Sequence, residues 1–358
     1  MNHVETTTKI TKETKNRIRV DFERTPLMER LKAKFVNTFF FKKVLVYLFK
    51  FLFLLGISYV ILFPFYSKIA SSFMSPSDFV DVTVRLIPKQ PTLGTYKAII
   101  ADNGYFTAFF NTLLLSGACA ILQTFVCCVV GYGFAKFKFK GNGLLFLLVI
   151  FTMVVPHSTI QLSMFMKFRY FDIFKIGEVG GLFNLLGGGI FEWINILPDT
   201  SISLLNTMWP LIIMSATGLA FKNGLYIFML RQFFSGVPDA LEESAYIDGS
   251  GVFHTFFTII LPLSIPMMVT VFLFAFCWQW MDDFYTELFF TAKDFVLMPD
   301  LITEIPTSLK IEYAGTNMYN AAIRNTCGIA IILPLVVLYC FGQNFLVQGI
   351  ERSGLTAE

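Results

Sequence analysis

Residues 107–135 read TAFFNTLLLSGACAILQTFVCCVVGYGFA, a stretch without one charged side chain. A helix crosses the roughly 30 Å hydrocarbon core of a bilayer with about 20 apolar residues, and a water-soluble core has no use for an apolar run of this length. Five further blocks share its character, at 44–66, 144–166, 207–230, 263–281 and 321–347. Composition agrees: hydrophobic residues make up 55% of the 358 positions, aromatics 17% with 43 Phe, and charged residues only 15%. Soluble domains carry about 25% charged residues. The chain therefore reads as an all-α membrane protein with six transmembrane helices.

Working outward, charge sets the orientation. The first 43 residues hold eleven Lys/Arg against five Asp/Glu, and Lys136, Lys138 and Lys140 follow the block at 107–135. Taken together, the loops after the first, third and fifth blocks mix a few bases with at least as many acids. Positive charge stays on the cytoplasmic side, so both termini are expected in the cytoplasm. The expected division is a basic cytoplasmic arm at 1–43, a first span at 44–66, an outer loop at 67–106, a transmembrane domain at 107–347 and a cytoplasmic tail at 348–358. The arm starts no signal peptide: its apolar block begins too late and lacks a small-residue cleavage site. Two readings of it stay open, a segment helical from about Pro26 lying on the anionic lipid membrane and a disordered basic tail. No nucleic acid partner is expected.

Cys119, Cys127, Cys128, Cys277, Cys327 and Cys340 all fall within predicted helices, without CxxC spacing or a nearby His. Neither a disulfide framework nor a metal site is implied. His3, His157 and His254 are scattered, and no catalytic arrangement appears. The long loop at 167–206 contains Gly187, Gly188, Gly189 and Trp193. It follows no strand and has no Lys-Ser/Thr after the glycines, so it reads as a flexible outer turn rather than a phosphate cradle.

The loop between the fourth and fifth blocks, at 235–262, is unlike the other inner loops. From 232 to 292 there is no Lys or Arg, while Asp239, Glu242, Glu243 and Asp248 crowd into ten residues. An inner loop facing lipid headgroups would carry bases, so this one is expected to face protein. Pro238 suits the first position of a short helix, the acids complement its dipole, and Gly249 can end it. A second helix is expected from about Ser250 to Ile260, with Pro262 opening the next span.

This stretch, PDALEESAYIDGSGVFHTFFTIILPLSIP from Pro238, resembles the EAA loop of binding-protein-dependent ABC importer permeases. Glu243, Ser244 and Ala245 stand for E-A-A; Gly249 follows after three residues, and Ile259, Leu261 and Pro262 after nine more. Ser244 replaces an Ala, small for small. The flanks LRQFFSGVPDALEESAYIDG and QNFLVQGIERSGL are similar to the carbohydrate branch, to the second permease of maltose-type systems. The resemblance covers about 107–355. It implies a type I ABC importer transmembrane domain importing a sugar or oligosaccharide. The implied partners are ATP-binding ABC subunits, a second permease in a heterodimer and an extracytoplasmic solute-binding protein, in the cytoplasmic membrane of a prokaryote. ATP and Mg would be bound by the partner ATPase and no cofactor by this chain, which has no GxxxxGK[ST]. The loop would seat in a cleft of that ATPase, with Glu243 pairing with a base, Ala245 keeping the contact face small, Asp248 adding negative charge and Gly249 letting the chain turn.

Two places suggest a substrate pathway. Lys222 lies nine residues before Arg231, roughly 13 Å deeper at 1.5 Å per residue, and Asn223 and Gly224 beside it suggest a helix break lining a wet cavity. A structural partner for Lys222 is the open alternative. Trp280, Asp282 and Asp283 form a group suited to a sugar, although Trp280 also fits an interfacial aromatic belt. The remaining alternatives are a permease for a peptide, amino acid or ion, an intramembrane enzyme lacking any visible catalytic pair, and a secondary transporter, which would show inverted repeats.

Overall fold

The computed structural model describes residues 10–13, 19–22, 38–171, 203–292, 295–313 and 315–354. It separates into two units, Met1–Ser67 and Lys68–Glu358. In the first, strands β1 (Ile10–Glu13) and β2 (Arg19–Phe22) pair antiparallel, Ile10 opposite Phe22, the one exception to an all-helical chain among the described residues. Helix α1 (Thr38–Ser72) then starts, well outside the expected 44–66 at both ends. Its 35 residues reach about 50 Å, more than the hydrocarbon needs. The helix expected from Pro26 and the glycine loop with Trp193 fall outside the described residues.

The second unit contains α2 (Gly94–Asp102), α3 (Tyr105–Lys136), α4 (Asn142–Val154), α5 (His157–Arg169), α6 (Trp209–Ala216), α7 (Asn223–Ser235), α8 (Ala240–Ile247), α9 (Val252–Trp280), α10 (Phe284–Phe289) and α11 (Thr316–Gly354). Among the described residues α1, α3, α9 and α11 are long and apolar enough to cross a membrane by themselves.

The other two expected spans are broken, and each break has a local cause. The block at 144–166 is the pair α4 and α5, bent by 98°. Pro156 pushes the preceding residue out of helical conformation, and Val155 is extended at ψ 121. Counted as one span, the pair makes a fifth. The block at 207–230 is split into α6, of 8 residues, and α7, of 13. The split falls at 217–222, where Gly218 sits at φ +76, a left-handed conformation that opens readily only to glycine. Neither half has the length of a span, so six uninterrupted helices are not what the chain forms.

Helix α9 departs in the other direction. Pro262 stands in the first turn of its α-helical span, Leu261–Trp280, as expected, but the chain is already helical from Val252 and passes through a π-helical turn at Phe256–Ile260. Proline lacks an N–H and crowds the carbonyl four residues back, and the wider turn before it absorbs both.

The core lies where α3, α7 and α9 meet, around Tyr226, Leu230, Phe234, Ile260 and Val271. Helix α11 packs on α9. Its Pro334 leaves the Ala330 carbonyl without a helical partner. The Tyr105 hydroxyl donates to that carbonyl at 2.9 Å, and Trp280 Nε1 donates to the neighbouring Ile331 carbonyl at 3.1 Å. In an apolar surrounding an unsatisfied carbonyl is expensive, so these two side chains make the proline tolerable.

Candidate functional site

The acidic loop leaves α7 at Gly236. Helix α8 begins later than expected, at Ala240, with Asp239 as its N-cap and Pro238 ahead of it. The Asp239 carboxylate does not cap the helix. It accepts instead from Lys136, the last residue of α3, at 2.5 Å, and the same ammonium donates to the Val237 carbonyl at 2.6 Å. The Lys136 side chain is buried while Asp239 is exposed. The hydrogen bond from Lys136 holds the Asp239 carboxyl below its ordinary pKa. One end of the loop is thus fastened to α3.

The other end of α8 is closed by its backbone. The Ser250 N–H donates to the Ala245 carbonyl at 2.9 Å and the Gly249 N–H to Tyr246 at 3.0 Å, with Gly249 at φ +85. This is a Schellman cap, and glycine occupies its left-handed position without strain. The second helix starts at Val252, two residues after the expected Ser250.

Neighbouring acids of α8 differ sharply. Glu243 is exposed, as are Ser244 and Asp248, whereas Glu242 is buried with Oε1 unpartnered among the described residues. Ala245 is also buried, so it faces inward and does not form part of an outer contact face. Ile259 and Leu261 are half-buried and Pro262 is exposed. Two residues beyond the motif complete the outer surface: Ile247 is 86% and Phe253 81% exposed. Sequence reasoning passed over them, although an apolar residue at the polar end of a short acidic helix is the signal that could have found them.

The second site is a cavity of about 430 Å³ at the break between α6 and α7. Lys222, Asp282 and Asp283 line it together. Two other expected residues do not. Trp280 has no exposed surface, stacks on Phe276 and meets Phe109 edge-on, so it is neither an interfacial anchor nor a sugar platform. Asn223 is likewise fully buried, its side-chain N and O unpartnered among the described residues, and is absent from the lining. The tryptophan that does line the cavity is Trp278, two residues earlier.

Lys222 Nζ stands 4.2 Å from the centroid of Phe221 and 4.4 Å from that of Trp278. Among the described residues no carboxylate lies within ion-pair distance of it. Asp282 turns its carboxylate to the start of α10, accepting from the Tyr285 N–H at 3.4 Å and the Thr286 N–H at 3.2 Å. Burial nonetheless pushes its pKa up to about 6. His157 hydrogen-bonds the Tyr285 hydroxyl, tying α5 to α10 at the rim. Deeper in, Gln123 donates to Ser215 at 3.2 Å, while the Tyr226 hydroxyl and Gln279 Nε2 have no partner among the described residues. No cluster of His, Cys, Asp or Glu that could hold a metal ion occurs among the described residues.

Residues 128–352 match the family model for the binding-protein-dependent transport system inner membrane component. The chain is similar to the arabinooligosaccharides transport system permease protein AraQ of Bacillus subtilis, at 25% identity over 85% of this chain and 94% of that one. It is also similar to the polygalacturonan/rhamnogalacturonan transport system permease protein YtcP of the same organism, at 27% over 83% and 93%. Among solved structures, a chain of a bacterial ABC transporter involved in import of the acidic polysaccharide alginate superposes with a TM-score of 0.61. That match covers 89% of this chain and 99% of the other at 17% identity, a likeness of fold.

Proposed function

The chain belongs to the family of binding-protein-dependent transport system inner membrane components, and from that premise we propose that it is the permease subunit of an ATP-driven sugar or oligosaccharide importer. It forms half of the translocation pathway and is not itself an enzyme; ATP and Mg are bound by a separate ATPase. One permease relative is named for arabinooligosaccharides and another for polygalacturonan/rhamnogalacturonan transport, which supports the substrate class. In this reading the bent pair α4–α5 and the broken pair α6–α7 each count as one crossing, giving six with both termini cytoplasmic. A second permease, of a different chain, completes the pathway, and a solute-binding protein delivers sugar from outside. The setting is the cytoplasmic membrane of a prokaryote.

The observation that carries the proposal is the acidic loop. Exposed Glu243 and Ile247 stand on a short helix tied at its start by Lys136 and ended by Gly249, and exposed Phe253 joins them from the first turn of α9. A rigid protrusion with an apolar tip and an acid beside it suits a cleft lined with bases, and like charge at such a contact costs several kcal/mol. Glu243→Lys should leave the protein inserted but reduce both ATPase copurification and sugar uptake. Wild-type values for both would remove the loop from the coupling role.

A further inference from the structure

The geometry points to an acidic sugar, a uronate-bearing oligosaccharide, as the substrate whose charge is read by Lys222 in the cavity at the α6–α7 break. This rests on the sugar-import reading and narrows it. The volume, about 430 Å³, falls within the roughly 300–1,000 Å³ of small-ligand sites. What distinguishes the cavity is the state of its charges and donors.

Three charged residues line it, and they are not equivalent. The Asp282 carboxylate is occupied by the two backbone N–H groups at the start of α10. Asp283 is exposed. Lys222 is the one lysine or arginine in the lining, which also holds the imidazole of His157, and it rests on two aromatic faces with no carboxylate within 4.0 Å among the described residues. A structural lysine at this depth would be expected to hold a carboxylate, as Lys136 holds Asp239. A ring face attracts an ammonium by about 0.5–2 kcal/mol, a weaker hold than a charge-assisted hydrogen bond to a carboxylate. The ammonium is therefore positioned and still able to take an anion.

The rest of the lining fits the remainder of a sugar acid. Tyr226 is almost wholly buried, yet its hydroxyl has no partner among the described residues, and neither does Gln279 Nε2. Both residues line the cavity, and an unsatisfied buried donor gains from a ring hydroxyl that reaches it. Trp278, half of it exposed, offers a face for the sugar's C–H groups. A neutral sugar could use the donors and the face but would offer the ammonium only hydroxyl oxygens, weaker acceptors than a carboxylate.

The experiment uses the assembled transporter with its ATPase, second permease and binding protein. Uptake is measured for trimers of galacturonate, mannuronate and glucuronate and for their neutral counterparts. We expect at least one acidic trimer to be taken up in preference to its neutral counterpart. Lys222→Met should lower that uptake by about tenfold or more, since a ligand carboxylate loses its charged partner, while Lys222→Arg keeps most of it. ATPase copurification reports whether each variant assembles; if Lys222→Met does not, the wild-type preference and Lys222→Arg decide. Neutral trimers imported as well as or better than acidic ones would overturn the inference and leave the sugar reading standing. Unchanged acidic uptake by an assembled Lys222→Met protein would also overturn it. Uptake of no saccharide of either kind would remove both.

Discussion

The two ends of α7 are built on opposite plans. At its C-terminal end the chain passes into a loop whose acids, Glu242 apart, stand in the open and whose shape is held by backbone hydrogen bonds and one lysine. At its N-terminal end a single base is set among rings, in a cavity whose walls come from several elements. On the open loop a charge acts by what it presents to an approaching surface, and its neighbours scarcely notice its removal. In the cavity the charged group rests directly on ring faces, so a change of charge also touches packing. The lesson is that equally spaced substitutions along the chain should fail in different ways at the two ends.

The largest effect tests where the cavity wall stops and the frame begins. Trp280→Ala should remove about 3–5 kcal/mol, as expected for a buried tryptophan, and also deprive the Ile331 carbonyl of its donor; loss of folded protein on size-exclusion chromatography is the expected outcome. Trp278→Ala, on the cavity side, should assemble normally and show its defect in uptake. Equal yields for the two would erase the distinction.

An intermediate effect belongs to Gly249. A Cβ there would meet nothing within 4 Å, so damage at φ +85 must come from the backbone alone. Gly249→Val should cost about 1–3 kcal/mol of local strain and weaken ATPase copurification. Gly249→Asn, which tolerates the left-handed region, should retain most of it. If both behave alike, the loop is not held by its turn.

The smallest effect concerns the tie between Lys136 and Asp239. Asp239 has a depressed pKa because of Lys136, so its contribution is present above the usual aspartate pKa, near 3.9, and is lost as pH falls through the lower folded value. Limited proteolysis of the loop should therefore be unchanged from pH 8 to 5 and rise only in stronger acid. Lys136→Met should show the higher cleavage at every pH; protection equal to wild type would mean that the tie does not hold the loop.

How far each end could be read from the sequence follows from the same contrast. The loop's signals are local: four acids within ten residues, a glycine at the point of turning, a proline at the next helix. Even there the burial of Glu242 and Ala245 and the exposure of Ile247 and Phe253 depend on how α8 lies against its surroundings, which spacing does not report. Hydropathy located the helices α1, α3, α9 and α11 and missed the break at Pro156, because a window average is blind to a single residue. The break in the fourth block was signalled by Lys222, Asn223 and Gly224 and falls at 217–222, just before Asn223. In the cavity Lys222 stood out as a charge in an apolar block, but Trp278 and Trp280 differ by two residues, and about 200° of helix, and only the packing of α9 against α11 tells which one is inside. His157, Gln123 and Tyr226 come from separate helices, and nothing in their neighbours along the chain links them.

Helix α7 has 13 residues, so it is a connecting rod of about 20 Å. Glycine-hinged at its far side by Gly218 and followed directly by the loop, it has no soft joint of its own between them. An α-helix hardly shortens under load, so a push delivered to the loop along this axis arrives at Lys222 with almost its full stroke. A machine assembled this way would be tuned by stiffness: one kink introduced midway along the rod would leave both ends chemically intact and disconnect them.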